Sequence, residues 1–200
     1  MREEGRRALW TALVVLGLLA APVAAQTASD IWLLPVGGDG VGAPTRVTDR
    51  DGYDNQPRFL PDGRALVYAS LRDGGTDILL HDLATGESRV VVGTPQSEYS
   101  PTPIPGRDAI SVVRDYGDLK QQLWSFPLGE GEPELLLPDV NPVGYHAWID
   151  AERLILFVLG EPHTLELARV GPGAGTVFVE SPGRALAAMP GGDEMSFVDK

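Results

Sequence analysis

The chain has 200 residues, 43% of them hydrophobic, with 24 glycines, 17 prolines and a formal charge of −12. That charge speaks against a partner bound through its phosphates, because a nucleic-acid interface needs a basic surface. The absence of cysteine excludes disulfides, thiolate zinc sites and cysteine nucleophiles, while still permitting export. High glycine and proline suit many short strands joined by turns better than a helical protein.

Residues 1–25 read as a signal peptide. Arg2, Arg6 and Arg7 form a positive start, Ala8 to Leu19 is apolar, and Val23-Ala24-Ala25 is a small-residue cleavage site before Gln26. The alternative is an uncleaved membrane anchor; no cysteine follows to carry a lipid. Residues 26–200 are then the folded domain, periplasmic or secreted, with no stable insertion in a membrane.

The folded part opens on Asp30-Ile-Trp-Leu-Leu-Pro-Val36 and Pro44-Thr-Arg-Val-Thr48, a strand pair around the hairpin loop Gly37-Gly38-Asp39-Gly40. A repeat follows. Its first copy has an inner strand Pro57–Leu60, a turn at Pro61-Asp62-Gly63 and a second strand Ala65–Ser70. The turn returns at Pro105-Gly106-Arg107-Asp108, in weakened form at Asp150-Ala151-Glu152, and at Pro190-Gly191-Gly192-Asp193. Inner strands precede these turns at Thr102–Ile104, Ala147–Ile149 and Leu186–Met189; second strands follow at Ala109–Val113, Leu154–Leu159 and Met195–Val198. Outer hairpins complete the first three copies: Thr76–Asp82 with Ser88–Val92, Gln121–Phe126 with Glu134–Leu137, and Thr164–Arg169 with Thr176–Val179.

Four strands about every 41–45 residues predict an all-β protein, a β-propeller of four-stranded blades. One blade has two faces and cannot cover both, so blades stack around an axis. A β-sandwich is the second choice, since its strands do not repeat the same turn residues at a fixed period. The chain begins on the outer half of one blade and stops after the inner half of another, so about four blades are present. The stop at Phe197-Val-Asp-Lys200 reads as a larger ring cut short. In the alternative, the two ends complete one blade and close a four-bladed ring.

The run Phe59-Leu-Pro-Asp-Gly-Arg-Ala-Leu-Val-Tyr-Ala-Ser70, then Asp73-Gly74, Asp77-Ile78 and Asp82-Leu-Ala-Thr-Gly86, resembles the TolB-type WD40-like (PD40) propeller repeat. The second copy keeps Ser100-Pro101 and Pro105-Gly106 without the aromatic residue; the third keeps Trp148 and the apolar pattern. The resemblance spans roughly 29–200. It implies an exported six- or seven-bladed propeller that binds a partner. Related propellers also cap serine peptidases, but this chain holds no α/β-hydrolase domain.

The loops entering the inner strands are expected to converge on the mouth of the central channel. They carry Tyr53, Asp54, Asn55 and Gln56; Glu98, Tyr99 and Ser100; and Tyr145 and His146, at one repeat position. Aromatic walls with a few convergent polar groups suit a protein or peptide partner in the cell envelope. The competing reading is that these side chains tie neighbouring blades together.

Catalytic signals are weak. Ser100, His146 and Asp150 make a triad only on paper, without a Gly-x-Ser-x-Gly elbow. Asp54, Glu98 and His146 offer no metal-ligand spacing, and Asp49-Arg-Asp-Gly52 lacks the rest of a calcium loop. No cofactor, metal or catalytic residue is expected. A hydrolase or polysaccharide lyase working at the mouth is the alternative. His81 and His163 read as structural, and Trp32, Trp124 and Trp148 as packing between blades.

Overall fold

In a computed structural model of the protein, described for residues 28–38, 40–189 and 194–199, the turns come out as their residues dictate. At the first, Gly63 takes φ 68°, its N–H reaches Leu60 O at 2.9 Å, and Leu60 N–H reaches Ala65 O at 2.9 Å. Asp62 Oδ1 accepts the Arg64 N–H. A side chain at that positive φ is strained, which is why glycine stands there. The second turn repeats this with Gly106 at φ 71°. The third has neither proline nor glycine. There Asp150 Oδ1 accepts the N–H groups of both Glu152 and Arg153, an Asx turn that does the same work.

The strands are β1 (Trp32–Leu33), β2 (Val36–Gly37), β3 (Gly40–Val41), β4 (Thr45–Arg46), β5 (Asp54–Phe59), β6 (Ala65–Arg72), β7 (Gly75–Asp82), β8 (Ser88–Val92) and β9 (Ser97–Pro103). They continue as β10 (Ala109–Asp115), β11 (Gln121–Pro127), β12 (Glu134–Leu135), β13 (Val143–Trp148), β14 (Arg153–Val158), β15 (Thr164–Arg169), β16 (Thr176–Glu180), β17 (Leu186–Ala188) and β18 (Met195–Phe197). Three four-stranded antiparallel sheets result: β5-β6-β7-β8, β9-β10-β11-β12 and β13-β14-β15-β16. Each is a meander, and each is one blade.

Alternation along the strands builds the core. Val67, Ala69, Ile78 and Leu80 of the first blade pack against Ile110, Val112 and Phe126 of the second. The intervening Leu66, Tyr68 and Leu79 pack against Ile31 of the N-terminal segment. Val113, Leu123 and Leu136 meet Val143, Trp148, Leu154 and Leu156 across the next interface. Ile155, Phe157 and Leu165 cover Leu186 and Met195 of the last hairpin. Both faces of β6 are therefore buried, whereas Ser88–Val90 on the outer strand β8 is exposed.

The end segments form separate two-stranded sheets, β1-β4 and β17-β18. They do not join into one blade, so the described residues form an open arc rather than a closed four-bladed ring. The leader-like residues 1–25 lie outside the described residues, as does the turn 190–193. Among the described residues, no helix is long and apolar enough to cross a membrane.

Two expectations are corrected. The segments carrying the proposed site residues are not loops: β5, β9 and β13 begin earlier than the sequence suggests and include all of them but Tyr53, which bridges Ser29 just before β5. Pro57 and Pro101 each sit in a β-bulge, where the ladder asks for no N–H, so the strands run on through them. Trp32 is not packed between blades. It is 54% exposed, with the Arg46 guanidinium over its ring at 5.8 Å.

Candidate functional site

The inner strands β5, β9 and β13 lie side by side, followed by β17. In β5 the register slips between Asn55 and Arg58, and in β9 between Tyr99 and Thr102. Gln56 (φ 57°) and Ser100 (φ 55°) take left-handed backbone there, at a cost of about 1–2 kcal/mol each. The twist turns the Ser100 N–H out of its own ladder, and Gln56 Oε1 accepts it at 2.7 Å. In β13 the slip falls at Gly144 instead, where a Cβ would stand 3.2 Å from Phe157 Cδ1 and Leu159 Cδ2.

Asp54, Glu98 and Val143 stand at one register near the start of these strands, opposite Ser70, Arg114 and Val158. Asp54 is buried and its Oδ1 is 2.7 Å from Arg50 Nη2. Arg50 also donates to Ser70 Oγ at 2.7 Å. Glu98 is fully buried; its Oε1 accepts from Thr94 Oγ1 at 2.5 Å and from Arg114 Nε at 3.3 Å. Burial nevertheless pushes the Glu98 carboxyl above its ordinary range, against the lowering effect of Thr94 and Arg114. Arg114 in turn lies over Trp124 at 4.6 Å and Phe126 at 4.9 Å. The third blade dispenses with charge and pairs Val143 with Val158. Asp54 and Glu98 are thus buried carboxylates held within their own blades and entering segments, and do not tie neighbouring blades together.

His146 is also internal. Its Nε2 is 2.6 Å from Ser111 Oγ, and Ser111 Oγ accepts the Trp148 indole N–H at 2.8 Å. This pins the third blade to the second. Burial, helped by the Arg58 charge, lowers the His146 pKa to about 3, so the imidazole is neutral. The paper triad does not assemble: His146 bonds Ser111 rather than Ser100, and Asp150 is held by Arg153 in its own turn. Ser111 itself is fully buried. Among the described residues, no group of three or more His, Asp or Glu side chains could hold a metal ion. His81 and His163 bond Ser88 Oγ and Gly160 N–H.

The tyrosines come together. Tyr53, Tyr99 and Tyr145 line one hollow of about 350 Å³ with Gln56, Ser100 and Asp115. They do not share one repeat position. Tyr99 and Tyr145 stand opposite Val113 and Phe157, but the matching residue of the first blade, opposite Ala69, is Asn55. Asn55 is exposed, and its Oδ1 accepts the Gln56 N–H. Tyr53 arrives from just before β5, and Tyr145 is steadied edge-on against Phe157 at 5.9 Å. Burial and the nearby Tyr99 and Tyr145 push the Tyr53 hydroxyl pKa up, so Tyr53 stays a neutral donor.

A second hollow of about 390 Å³ adjoins the first and shares Gln56, Ser100, Tyr145 and Arg184 with it. Arg58, Thr102 and His146 complete its walls. Arg58 and Arg184 carry no signal in the sequence. Arg58 follows a proline in a strand, and Arg184 sits in a Ser-Pro-Gly-Arg stretch without a motif.

Stacked four-stranded meanders with their inner strands around a common cleft define a β-propeller. Comparison with known proteins bears on its kind. A stretch of 47 residues is 45% identical to the Tol-Pal system protein TolB of Anaplasma marginale, covering 24% of this chain and 11% of that protein. Another match, 30% identical over 142 residues, is to putative tricorn protease homolog 2 of Streptomyces coelicolor, covering 66% of this chain and 12% of that protein. The solved structure of a putative TolB from Agrobacterium tumefaciens superposes with a TM-score of 0.64 at 17% identity, over 76% of this chain and 57% of that one. No family model matches. The chain spans little more than half of that solved structure and about a tenth of each curated relative. The structural likeness shows the propeller fold, and the blades are similar to TolB-type WD40-like repeats.

Proposed function

We propose that this protein is an exported, non-catalytic propeller module that engages a protein or peptide partner at the channel mouth, as a scaffold of the cell envelope. The observation that carries the reading is the convergence of Tyr53, Tyr99 and Tyr145 with Gln56 and Ser100 on one hollow. Tyrosine rings present flat apolar area together with a hydrogen-bonding tip, which is what an extended peptide needs from a wall. Export rests on the apolar leader and its small-residue end; the name of the Tol-Pal relative is in keeping with an envelope setting. Asp54 and Glu98 hold the walls in place from inside, and His146 lines the adjoining hollow.

The test is capture of partners from a periplasmic extract by the parent protein and by its Tyr99→Ala and Tyr145→Ala variants, each checked for folding by circular dichroism. The captured species are expected to fall about tenfold, as when a buried aromatic anchor is truncated. Undiminished capture by both variants would end the reading.

A further inference from the structure

Arg58 and Arg184 face the same 390 Å³ hollow from β5 and from the segment entering β17. Six other arginines of this acidic protein find carboxylates: Arg46 with Asp30, Arg50 with Asp54, Arg107 with Glu134, Arg114 with Glu98, Arg153 with Asp150 and Arg169 with Glu152; Arg64, Arg72 and Arg89 do not, but they line neither this hollow nor the adjoining one. Neither Arg58 nor Arg184 forms an ion pair with any described residue. With a net charge of −12 overall, two unpaired guanidinium groups on one concavity stand out as an anion site.

The geometry points to a ligand that brings one carboxylate to Arg58 and Arg184, carried on an extended peptide whose neighbouring side chain lies against Tyr99 and Tyr145. This rests on the mouth being the binding site and names the chemistry of its ligand. The guanidinium fork matches the two oxygens of a carboxylate. A monoanion fits better than a doubly charged phosphate. His146 is uncharged, and Asp115 lines the adjoining hollow, so the two arginines are offset by one carboxylate. The combined cleft is of the size that takes a small ligand or a few residues of peptide. Gln56 and Ser100, already bonded to each other, form the rigid floor between the arginines and the tyrosines.

The carboxylate can be the free C-terminus of a peptide or an Asp or Glu side chain, and the experiment separates them. Three libraries of tritium-labelled random hexapeptides are passed over the immobilised full-length protein. One has free C-termini and no acidic residue, the second has C-terminal amides and a single Glu, and the third has amides and no acid. At least one acid-bearing library is expected to be retained about tenfold more than the neutral amides, and which one identifies the source. The double variant Arg58→Gln/Arg184→Gln loses that preference, and Arg58→Lys/Arg184→Lys keeps part of it. Both residues are exposed, so folding is spared. If all three libraries are retained equally and the glutamine variant behaves as the parent, the carboxylate assignment is wrong. The mouth reading then survives only if Tyr99→Ala lowers retention of all three. If no library is retained, both fall.

Discussion

The backbone N–H of Ser100 donates to the side-chain Oε1 of Gln56 at 2.7 Å, joining residues at equivalent bulges of adjacent blades. Both hold positive φ, and each strained backbone makes sense only through that bond. Gln56→Ala keeps the strain and leaves a part-buried donor without a partner. It is expected to cost about 1–3 kcal/mol. Gln56→Gly also loses the bond but relaxes the backbone, so it should unfold at a higher denaturant midpoint than Gln56→Ala. Equal midpoints would show that φ at this bulge stores no strain.

Arg50 holds the buried Asp54 carboxylate. Arg50→Ala strands that charge and should destabilise by roughly 3–5 kcal/mol in urea titration. The third blade supplies the remedy, because Val143 faces Val158 at the same register. Asp54→Val/Ser70→Val is therefore expected to cost less than Arg50→Ala alone. If it costs more, the blades are not interchangeable at this layer.

His146 gives a pH dependence of known sign. Its folded pKa of about 3 lies below the ordinary 6.5, so the unfolded protein binds the proton more readily. The stability this contributes is complete above pH 6.5 and is lost as pH falls towards 3, at a slope of up to about 1.4 kcal/mol per pH unit. Imidazole resonances followed by NMR should show His146 neutral at about pH 5. A His146 that titrates near 6.5 in the folded protein would refute the burial argument.

Glu98 works in the opposite sense. Its folded pKa is raised above 4.5 by burial, so the folded protein binds the proton more readily. Stability therefore falls as pH rises from 4.5 through the raised value and is level above it. Glu98→Gln keeps an acceptor for Thr94 and Arg114 but does not titrate. Its stability profile, measured beside the parent, should lack this fall; parallel profiles would mean that Glu98 is not responsible.

Ser111 accepts the Trp148 indole N–H and sits against His146. Ser111→Ala leaves both without that partner between two blades and is expected to cost about 1–3 kcal/mol. Trp148→Phe removes only one donor and should cost less. The order of the two thermal midpoints decides the point.

The strands, turns and repeat were legible in the residues. Pro61-Asp62-Gly63 and its echoes encode turns by local sterics, and the alternation of β6 and β7 encodes two buried faces. The separation of the end hairpins was not legible, because pairing between distant segments depends on geometry that no local pattern carries. The site was half legible. Three tyrosines flanking inner strands could be picked out, but their common spacing concealed a different register, since a bulge adds a residue without changing the composition. Arg58, Arg184 and the Ser111–His146 contact are invisible to spacing, for the hollow and the contact are each assembled from more than one blade.

Composition and period alone determined that this protein is a stack of four-stranded blades, because turn chemistry and side-chain alternation act between near neighbours. Tertiary structure decided which polar residues serve the fold and which face the cleft. Asp54 and Glu98 went inside, while Tyr53, Tyr99, Tyr145 and two arginines without ion pairs were left around the cleft, with the mostly buried His146 in one wall. The physical reason is that burial and pairing are set by what the neighbouring strand or the adjacent blade places opposite each side chain.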